Sequence, residues 1–334
     1  MTPCAVIRQG VALLAFGLSC IAMLLPGQAL AQTPAASSTW PQRNVRFIIP
    51  FGPGSGADIS ARLISERLQQ KWGNAVVIEN RPGGDGIVDI NAFTGAGDDH
   101  VLLYAATASF IAHPYLYETL PYDRERDLLP IARISITVMA AGIPAAMGID
   151  TLADFVAHAK AHPGKLNSAS VQGMSEIVFY GFMKRQGMDL AKVPYRDIVQ
   201  APTDLAEGRI HMLMASLAAQ QPLVQAGKIK VLAVGGQRTP LLPQTPTMTE
   251  AGFPDLENEG LIGVFGPRGM ALDLRQRVAA DIVAAGSTPL ISERLTSTAQ
   301  LVALAGPEAL AASIAKQTAS LDAAAHTLGM KRKS

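Results

Sequence analysis

Runs of apolar residues alternate with amphipathic segments along most of this chain. The runs predict β-strands, and most are apolar at every position, as in strands that are covered on both faces of a parallel sheet. The predicted strands are Val45–Phe51, Ala75–Asn80, Val101–Ala106, Ile136–Pro144, Leu166–Ser170, Lys192–Tyr195, Arg209–Ser216, Ile229–Gly236 and Gly263–Pro267. The alternation indicates an α/β fold, in which ligands bind outside the carboxyl edge of the strands.

The segments between these runs carry helix signals. Asp58 is a predicted N-cap, and the apolar residues after it fall on one helical face. Thr151 is predicted to cap another helix, with Asp154 three residues later as in a capping box, and Pro163-Gly164 ends it. Further helices are predicted at Ala271–Gly286, Pro289–Thr296 and Pro307–Leu328.

The first predicted strand runs into a glycine-rich turn, Gly52-Pro53-Gly54-Ser55-Gly56-Ala57, which a predicted helix follows. Glycines let the backbone approach a ligand closely, and a helix N-terminus offers unpaired N–H groups and the positive end of the helix dipole. Together they can hold an anion, and we favour a carboxylate. Two other interpretations stay open: a dinucleotide site with Glu79 on a ribose, and a turn without a ligand.

The details of this turn argue against other anion sites. Pro53 removes a backbone donor inside the glycine pattern, which disfavours a dinucleotide. No Lys-Ser/Thr pair follows the turn, so it is not a P-loop. Ser55 lacks the Gly-x-Ser-x-Gly frame, so the turn is not a nucleophile elbow.

Four other predicted strand ends carry small or polar residues. They are Tyr104–Ser109, Leu166–Glu176, Val193–Asp197 and Met214–Ser216. A single loop of this kind is most often a simple connection between a strand and a helix. Several at one sheet edge can converge on a single cleft, and this is the stronger signal for a binding site.

No catalytic or metal-binding arrangement stands out. His158 and His162 are four residues apart on a predicted helix, but no third ligand lies near them in the sequence, and a solvated surface pair is the simpler interpretation. His211 falls in a strand run and is interpreted as a satisfied core or edge residue. We therefore predict a protein that is not an enzyme, with no catalytic residues, no metal ion and no cofactor.

The first residues have the order of a secretory signal peptide. Arg8 precedes a mostly apolar segment, Val11–Leu25, which is too short for a comfortable transmembrane helix. Ala29-Leu30-Ala31 then places small residues where a signal peptidase reads them. We predict a cleaved signal peptide over residues 1–31, a polar leader over residues 32–40, and a periplasmic location.

Charge and cysteine content narrow the class of protein further. The chain has 28 Lys and Arg against 27 Asp and Glu, so no basic field would attract nucleic acid. Both cysteines, Cys4 and Cys20, fall in the predicted signal peptide, so the exported chain would depend on its core and not on disulfides. No later apolar run reaches the ~20 residues of a membrane helix. We expect an exported monomer that binds a small molecule.

Short segments in order along nearly the whole exported chain resemble the Bug (TctC-like) family of periplasmic solute-binding proteins, the receptors of tripartite tricarboxylate transporters. The segments are Trp40-Pro41, Val45–Asp58, Val76–Gly83, Pro114–Tyr117, Leu120–Asp123, Pro163–Asn167, Val193–Tyr195, Ala226–Lys228, Val231–Val234, Pro246-Thr247 and Glu250–Gly252. The resemblance implies a periplasmic-binding-protein-like fold: two α/β lobes with a cleft between them, joined by two crossings near Ser135–Val138 and Asn258–Gly263.

The resemblance also implies domain boundaries and a binding site. Lobe one would comprise residues 41–136 and 260–334, and lobe two residues 137–259. Backbone and hydroxyl groups of both lobes would hold a ligand carboxylate. On this chain they are Phe51, Ser55, Gly56, Ala57, Asp58, Thr107 and Ser109 in lobe one, and Ser170, Gln172, Gly173, Tyr195 and Ser216 in lobe two.

Several loop positions depart from the pattern of the family. Ala57 stands where a threonine is frequent, and Asp197-Ile198 stands where two glycines are frequent. His211 and Ala215-Ser216 replace acidic and amide residues, and Gly84-Asp85-Gly86-Ile87 replaces a run of small polar residues. The sequence therefore leaves the ligand open among dicarboxylates, tricarboxylates, amino acids and aromatic acids.

The function that the resemblance implies is an extracytoplasmic receptor that captures a small carboxylate between two lobes. Membrane subunits of a tripartite tricarboxylate-type transporter would be its transient partners. One alternative is a carboxylate-sensing receptor for a membrane signalling protein, which the sequence does not separate from a transport receptor. The other is a periplasmic hydrolase, which would need an activated nucleophile or a metal ion.

Overall fold

The computed structural model describes residues 40–53, 55–195 and 198–333. The predicted signal peptide, residues 32–39 of the predicted leader, and Gly54, Arg196 and Asp197 lie outside the described residues. The strands are β1 (Val45–Ile49), β2 (Val76–Asn80), β3 (Val101–Ala106), β4 (Leu129–Thr137), β5 (Met139–Pro144), β6 (Leu166–Ser170), β7 (Leu190–Lys192), β8 (Met212–Ser216), β9 (Ile229–Val234), β10 (Gly260–Gly266) and β11 (Gln300–Ala305).

The helices are α1 (Gly56–Trp72), α2 (Ile87–Ala96), α3 (Thr107–Leu116), α4 (Arg124–Asp127), α5 (Leu152–Ala161), α6 (Met174–Gln186), α7 (Ala201–Ala206), α8 (Leu217–Gln225), α9 (Leu272–Gly286), α10 (Pro289–Ser297) and α11 (Pro307–Leu328). Thr151 caps α5 as predicted, because its hydroxyl accepts a hydrogen bond from the Asp154 N–H at 3.0 Å. No helix within the described ranges is long and apolar enough to cross a membrane.

The strands form two sheets. The six-stranded sheet has the order β11-β4-β10-β3-β1-β2, and the five-stranded sheet has the order β7-β6-β8-β5-β9. β1 is parallel to β2 and β3, and β6 is parallel to β7 and β8, but β4, β5, β10 and β11 pair antiparallel with their neighbours. The apolar runs were typical of a parallel sheet, and both sheets are in fact mixed, because an apolar run reports burial on both faces and not the direction of the neighbouring strand.

The predicted strand Ile136–Pro144 is in fact the junction of two strands. β4 ends in the six-stranded sheet and β5 begins in the five-stranded sheet, with only Val138 between them. The Val138 N–H donates to the Ala299 carbonyl at 3.1 Å, and its carbonyl accepts from the Leu217 N–H at 2.8 Å. Because both strands are largely buried, no glycine, proline or charged residue marks the point where the chain changes sheet.

A second crossing runs beside the first one. The chain leaves β9 in the five-stranded sheet and enters β10 in the six-stranded sheet. The Gly235 N–H donates to the Met139 carbonyl at 2.8 Å, and Gly260 pairs with Thr137. The predicted fold of two α/β lobes with two crossings is confirmed. The exact domain boundaries at residues 137 and 259 stay a prediction.

Each sheet has its own core. The core of the six-stranded sheet, which we call lobe one, includes Phe93, Phe110 and Phe265, and that of the five-stranded sheet, lobe two, includes Phe155 and Phe179. Each fully buried side chain of this size contributes roughly 1.5–3 kcal/mol. The lobes also contact each other through α6 and α11, where a Cβ on Gly181 would lie 2.9 Å from the Ala324 Cβ, so the facing residues must be small.

Candidate functional site

Four helices begin where strands of the two sheets end. α1 follows β1 and α3 follows β3 in lobe one, while α6 follows β6 and α8 follows β8 in lobe two. The first turn of a helix carries N–H groups without helical partners and the positive end of the helix dipole. The candidate site is formed by these four helix starts.

Ser55, and not the predicted Asp58, is the N-cap of α1. The Ser55 hydroxyl accepts a hydrogen bond from the Asp58 N–H at 3.2 Å, and Ser55 has the extended backbone of a cap. Aspartate caps helices about as readily as serine does, so residue type alone did not separate the two. The N–H groups of Gly56 and Ala57 have no acceptor among the described residues, and they are therefore available to an anion.

The Asp58 side chain holds the loop in place. It is buried, and its oxygens accept hydrogen bonds from Asn80 Nδ2 and from Arg62 Nε, each at 2.9 Å. Asn80 Nδ2 also donates to the Phe51 carbonyl at 2.8 Å, which ties the loop after β1 to the end of β2. Sequence reasoning missed Asn80 as a site residue, although it lies in a segment that carries the family resemblance.

Gln300 is a second residue that sequence reasoning missed. It is buried at the start of β11, and its Oε1 accepts a hydrogen bond from the Ser135 hydroxyl at 2.9 Å. A Cβ on Gly56 would collide with the Gln300 amide nitrogen, so the glycine is needed for this close approach. Gln300 therefore joins the start of α1 to β4, the strand that leads into the first crossing. No local sequence signal marks it, because its partners are distant in the chain.

The two predicted hydroxyls at the start of α3, on Thr107 and Ser109, differ in whether they have a hydrogen-bond partner. Thr107 is buried, and its hydroxyl donates to the side chain of Gln317 on α11, so it is engaged within the protein. Ser109 is half-buried, and its hydroxyl has no partner among the described residues. No side chain among the described residues caps α3, so the N–H groups of its first turn are also available. Ser109 is the better placed of the two for a ligand.

In lobe two, Gly173 precedes α6 with a φ of 85°, a conformation that favours glycine, and α6 has no side-chain cap. Gln172 beside it is half-buried. The Ser170 hydroxyl donates to the carbonyl of Val171 at 3.1 Å. The backbone at the start of α6 is therefore the available part of this loop.

The remaining predicted residues of lobe two are partly engaged. The Ser216 hydroxyl caps α8 by accepting from the Ala219 N–H at 3.3 Å. The Tyr195 hydroxyl donates to the Asp204 carboxylate at 2.6 Å. Partial burial and this carboxylate raise the pKa of Tyr195, so its hydroxyl stays protonated. Both hydroxyls therefore help to shape the lobe through contacts within it.

The two lobes approach each other at these helix starts. Leu217, the first residue of α8, is hydrogen-bonded to Val138 in the first crossing. At the other end, a Cβ on Gly173 of lobe two would lie 3.9 Å from Asp85 Oδ2 and 4.0 Å from the Ala112 Cβ of lobe one. The site is thus bounded by groups of both lobes.

The turn after β2 adds two carboxylates beside the start of α3. Asp85 has a φ of 53°, a left-handed conformation that is uncommon outside glycine. Asp89 lies in the first turn of α2, is buried, and has no hydrogen-bond partner on either side-chain oxygen within the described ranges. Burial is the main cause that raises the pKa of Asp89 to about 7. The nearby backbone N–H groups of Asp89 and Ile90, which do not reach hydrogen-bond geometry with the carboxylate, and the charge of His113 act in the opposite direction.

The one group of three metal-type side chains in the described part of the chain lies away from the helix starts. Asp98, Asp99 and His100 precede β3, at the opposite edge of the sheet. Asp98 pairs with Arg43 at 2.7 Å, and His100 Nε2 accepts from the Gln42 N–H at 3.2 Å. Through these contacts, Asp98 and His100 hold the segment that leads into β1, which is a structural role.

The other histidines that the sequence singled out have structural contacts. His162 Nδ1 lies 2.8 Å from the His158 carbonyl, and both side chains lie at the surface of α5 or just after it. His211 Nδ1 accepts from the Asn167 N–H at 3.0 Å. Burial lowers the pKa of His211, which keeps its ring neutral as this hydrogen bond requires. The interpretation of His211 as a residue with a satisfied hydrogen bond is confirmed, and it is half-buried just before β8.

A sequence profile decides the family. The profile described as "Tripartite tricarboxylate transporter family receptor", TctC, matches residues 60–321. This chain belongs to the TctC family. The predicted resemblance to Bug and TctC-like receptors is confirmed. The matched range includes the starts of α3, α6 and α8, and it begins four residues after the start of α1.

Similar proteins and similar solved structures support the assignment of this chain to the TctC family. It is 30% identical over 299 residues to the UPF0065 protein in the tcbD-tcbE intergenic region of a Pseudomonas species, which covers 86% of this chain and 88% of the relative. It is 27% identical over 241 residues to Protein BugT of Bordetella pertussis, with coverage of 71% and 74%. R. palustris Rpa4515, solved with adipate, is 26% identical with a TM-score of 0.72, over 87% of this chain and 99% of that one.

The geometry divides the predicted site residues of the TctC-family protein into two groups. One group offers backbone N–H or hydroxyl groups that no other described residue engages, and its members are Gly56, Ala57, Ser109 and Gly173. Gly173 also faces Asp85 and Ala112 of the opposite lobe. The other group is engaged in holding the loops, and its members are Phe51, Ser55, Asp58, Thr107, Ser170, Tyr195 and Ser216. Gln172 is half-buried beside Gly173. A ligand contact for any of them stays a prediction.

Proposed function

We propose that this TctC-family protein is a periplasmic receptor that captures a small carboxylate between its two lobes for a tripartite tricarboxylate-type transporter. One observation carries the proposal: the helices α1, α3 and α6 begin, at the strand ends of two facing lobes, with N–H groups that have no acceptor among the described residues. The family supports a solute receptor, and the adipate of R. palustris Rpa4515 supports a carboxylate.

Backbone amides are sufficient to hold such a ligand. A hydrogen bond to a charged group contributes ~1.5–3 kcal/mol, and a helix dipole adds ~0.3–1 kcal/mol. Three or four such contacts can reach the ~8 kcal/mol of micromolar binding before the cost of association is subtracted. The ligand carboxylate would therefore bind at the starts of α1 and α3, with α6 closing from the opposite lobe.

The location and the partner are part of the proposal. A signal peptide over residues 1–31 would export the chain, and the closed pair of lobes would be the shape that membrane transporter subunits recognise. A membrane sensor could recognise the same shape. Membership of a solute-receptor family argues for capture without turnover.

A thermal-shift screen of the exported chain with a carboxylate library tests this function. We expect at least one carboxylate to raise the melting temperature in a saturable manner, while the matched neutral amide does not. A ligand at 100 times its dissociation constant stabilises the fold by about 2.7 kcal/mol. If no carboxylate stabilises the protein, or if mass spectrometry shows that a bound carboxylate is chemically converted, the proposal is wrong.

A pair of serine variants locates the binding site. Ser109→Ala removes a hydroxyl at the start of α3, and we expect it to weaken carboxylate binding roughly 5–10-fold, because one hydrogen bond of about 1 kcal/mol is lost. Ser297→Ala removes an exposed hydroxyl at the end of α10 and should leave the affinity unchanged. Calorimetry gives both affinities. Equal affinities would place the carboxylate elsewhere.

A further inference from the structure

The turn after β2 places negative charge at a site that is otherwise built for an anion. The Asp85 carboxylate lies 3.6 Å from His113 Nε2 and faces Gly173 of the opposite lobe. Its side chain is 39% exposed, so a ligand in the cleft can reach it. A second ligand carboxylate would be repelled at this position.

Asp89 lies behind the same turn. A Cβ on Gly86 would be 3.6 Å from Asp89 Oδ1 and 3.7 Å from the Ser109 hydroxyl, so these two groups border the same small space. Asp89 is completely buried, and neither of its side-chain oxygens has a hydrogen-bond partner in the described part of the chain. An unpaired buried carboxylate is costly, and it is retained only where something compensates it.

The carboxylates of the two other buried aspartates accept hydrogen bonds, which compensate the cost of burying their charge. Asp58 accepts from Asn80 and Arg62. Asp127 accepts from Arg126 and from the Asp123 N–H. Among the buried aspartates in the described ranges, Asp89 alone lacks such partners.

We propose that the ligand carries an ammonium group as well as a carboxylate, and that Asp85 and Asp89 bind the ammonium. This deepens the proposed function and rests on it: the carboxylate binds the N–H groups at the starts of α1 and α3, and the ammonium binds at the turn after β2. An ammonium has three donors, and two of them match the carboxylates of Asp85 and Asp89. The Ser109 hydroxyl, which donates to the ligand carboxylate, can accept the third. The ligand class is a small amino acid or another short amino carboxylate.

A metal ion fits these residues less well. Both ring nitrogens of His113 are engaged, because Nδ1 lies 2.6 Å from the Tyr122 hydroxyl and Nε2 lies 3.0 Å from the Asp85 carbonyl. Asp85, Asp89 and His113 do not converge as a metal-type group in the described part of the chain. An ammonium needs hydrogen-bond acceptors only, and it tolerates this looser arrangement.

The ligand must displace the turn to reach Asp89, and the backbone allows this. Gly84 and Gly86 flank Asp85, and both have positive φ values, of 57° and 92°. Glycines can change these angles without steric cost. The exposed Asp85 would meet the ammonium first, and Asp89 would be uncovered as the turn moves.

Calorimetry with matched ligand pairs tests the proposal. Each pair differs only by an amino group: glutamate and glutarate, aspartate and succinate, alanine and propionate, 5-aminovalerate and valerate. We expect at least one amino member to bind the exported chain more than about 10-fold tighter than its partner without the amino group, as for one well-made charged contact. Asp89→Asn and Asp85→Asn should each reduce this ratio at least about 5-fold.

Controls keep the outcomes distinct. Asp273→Asn, at an exposed first-turn aspartate of α9, should leave the ratio unchanged. Asparagine tolerates the left-handed backbone, so Asp85→Asn gives a folded variant even if Asp89→Asn is unstable. If carboxylates bind but no amino member is preferred, or if both variants keep the ratio, the ammonium site is wrong and carboxylate capture stands. If no carboxylate or amino carboxylate binds at all, the proposed function fails as well.

Discussion

Two buried aspartates of lobe one occupy the same kind of position and have opposite surroundings. Asp58 lies in the first turn of α1, and Asp89 lies in the first turn of α2. Asp58 accepts hydrogen bonds from Asn80 and Arg62 and so holds the loop after β1. Asp89 has no hydrogen-bond partner for its side chain among the described residues. The comparison teaches that a satisfied buried charge builds the site, whereas an unsatisfied one is a candidate for ligand contact.

Two hydroxyls of α3 show the same contrast between a side chain with a hydrogen-bond partner and one without. Thr107 donates to Gln317 and is buried, so it positions the start of the helix. Ser109, two residues later, has a hydroxyl that no described residue engages. Polar residues of one loop therefore have different roles, and the hydrogen-bond partner of each is what distinguishes them.

The largest expected effect is that of Asp58→Ala. It leaves Arg62 and Asn80 without their shared acceptor, and removing one partner of a buried pair costs about 3–5 kcal/mol. The Arg62 side chain is 51% exposed, so water compensates part of this loss and we expect about 2–3 kcal/mol. Urea unfolding at pH 7 measures it. Asp273→Ala is the control and should change the free energy of unfolding by less than about 0.5 kcal/mol.

A loss below about 1 kcal/mol for Asp58→Ala would contradict the contrast between the two aspartates. It would mean that the contacts with Asn80 and Arg62 do not hold the loop. The ligand affinity of the variant should fall as well, because the Phe51 carbonyl and the N–H groups that follow it lose their anchor.

The next largest effect concerns Asp89 and depends on pH. Its pKa is raised from 3.8 to about 7 in the folded state, where it faces Asp85, His113 and Tyr122. The folded state then binds more protons than the unfolded state between these values, so this group's stabilisation is present below about pH 4 and is lost as pH rises towards 7. The loss is at most about 1.4 kcal/mol per pH unit.

Asp89→Asn removes this titration. We therefore expect the variant to gain stability relative to the natural chain from about pH 5 to pH 7, by about 1–3 kcal/mol, and to show no further gain above about pH 7. Melting temperatures across this pH range give the difference. A constant difference would show that Asp89 is compensated in the folded protein, which would also weaken the case for an ammonium site.

The smallest effect compares two helix caps. Ser55→Ala and Thr288→Ala each remove a hydroxyl that caps a helix, at α1 and α10. Each should lower the free energy of unfolding by about 1 kcal/mol. Only Ser55→Ala should weaken carboxylate binding, because α1 begins at the candidate site and α10 does not. If both caps changed the affinity equally, the effect would come from global stability.

The sequence predicted much of the fold because its signals are local. The bounds of β3, β6 and α11 agree with the prediction, and Thr151 caps α5 as expected. β11 was missed because this short apolar run lies directly between two helices, and its pairing with β4 is what identifies it as a strand. The predicted strand that spans the first crossing was wrong for a related reason: burial hides the point where the chain changes sheet.

The candidate site was predicted only in outline. The glycine-rich turn and the polar strand ends identified the loops, but the cap at Ser55 and the bonds of Thr107 and Tyr195 are visible only in the folded chain. Asn80 and Gln300 were missed because nothing in their own segments marks a contact with the start of α1.

The sequence alone therefore determined the α/β class and the glycine-rich and polar loops at the strand ends, because apolar periodicity, glycine turns and cap residues act over a few positions. The family followed from the resemblance of segments along the chain. The tertiary structure decided which polar groups are engaged and which are available. Hydrogen bonds between residues far apart in the chain satisfied Asp58 and left Asp89 unsatisfied, and such pairings arise only when the two sheets and their helices pack.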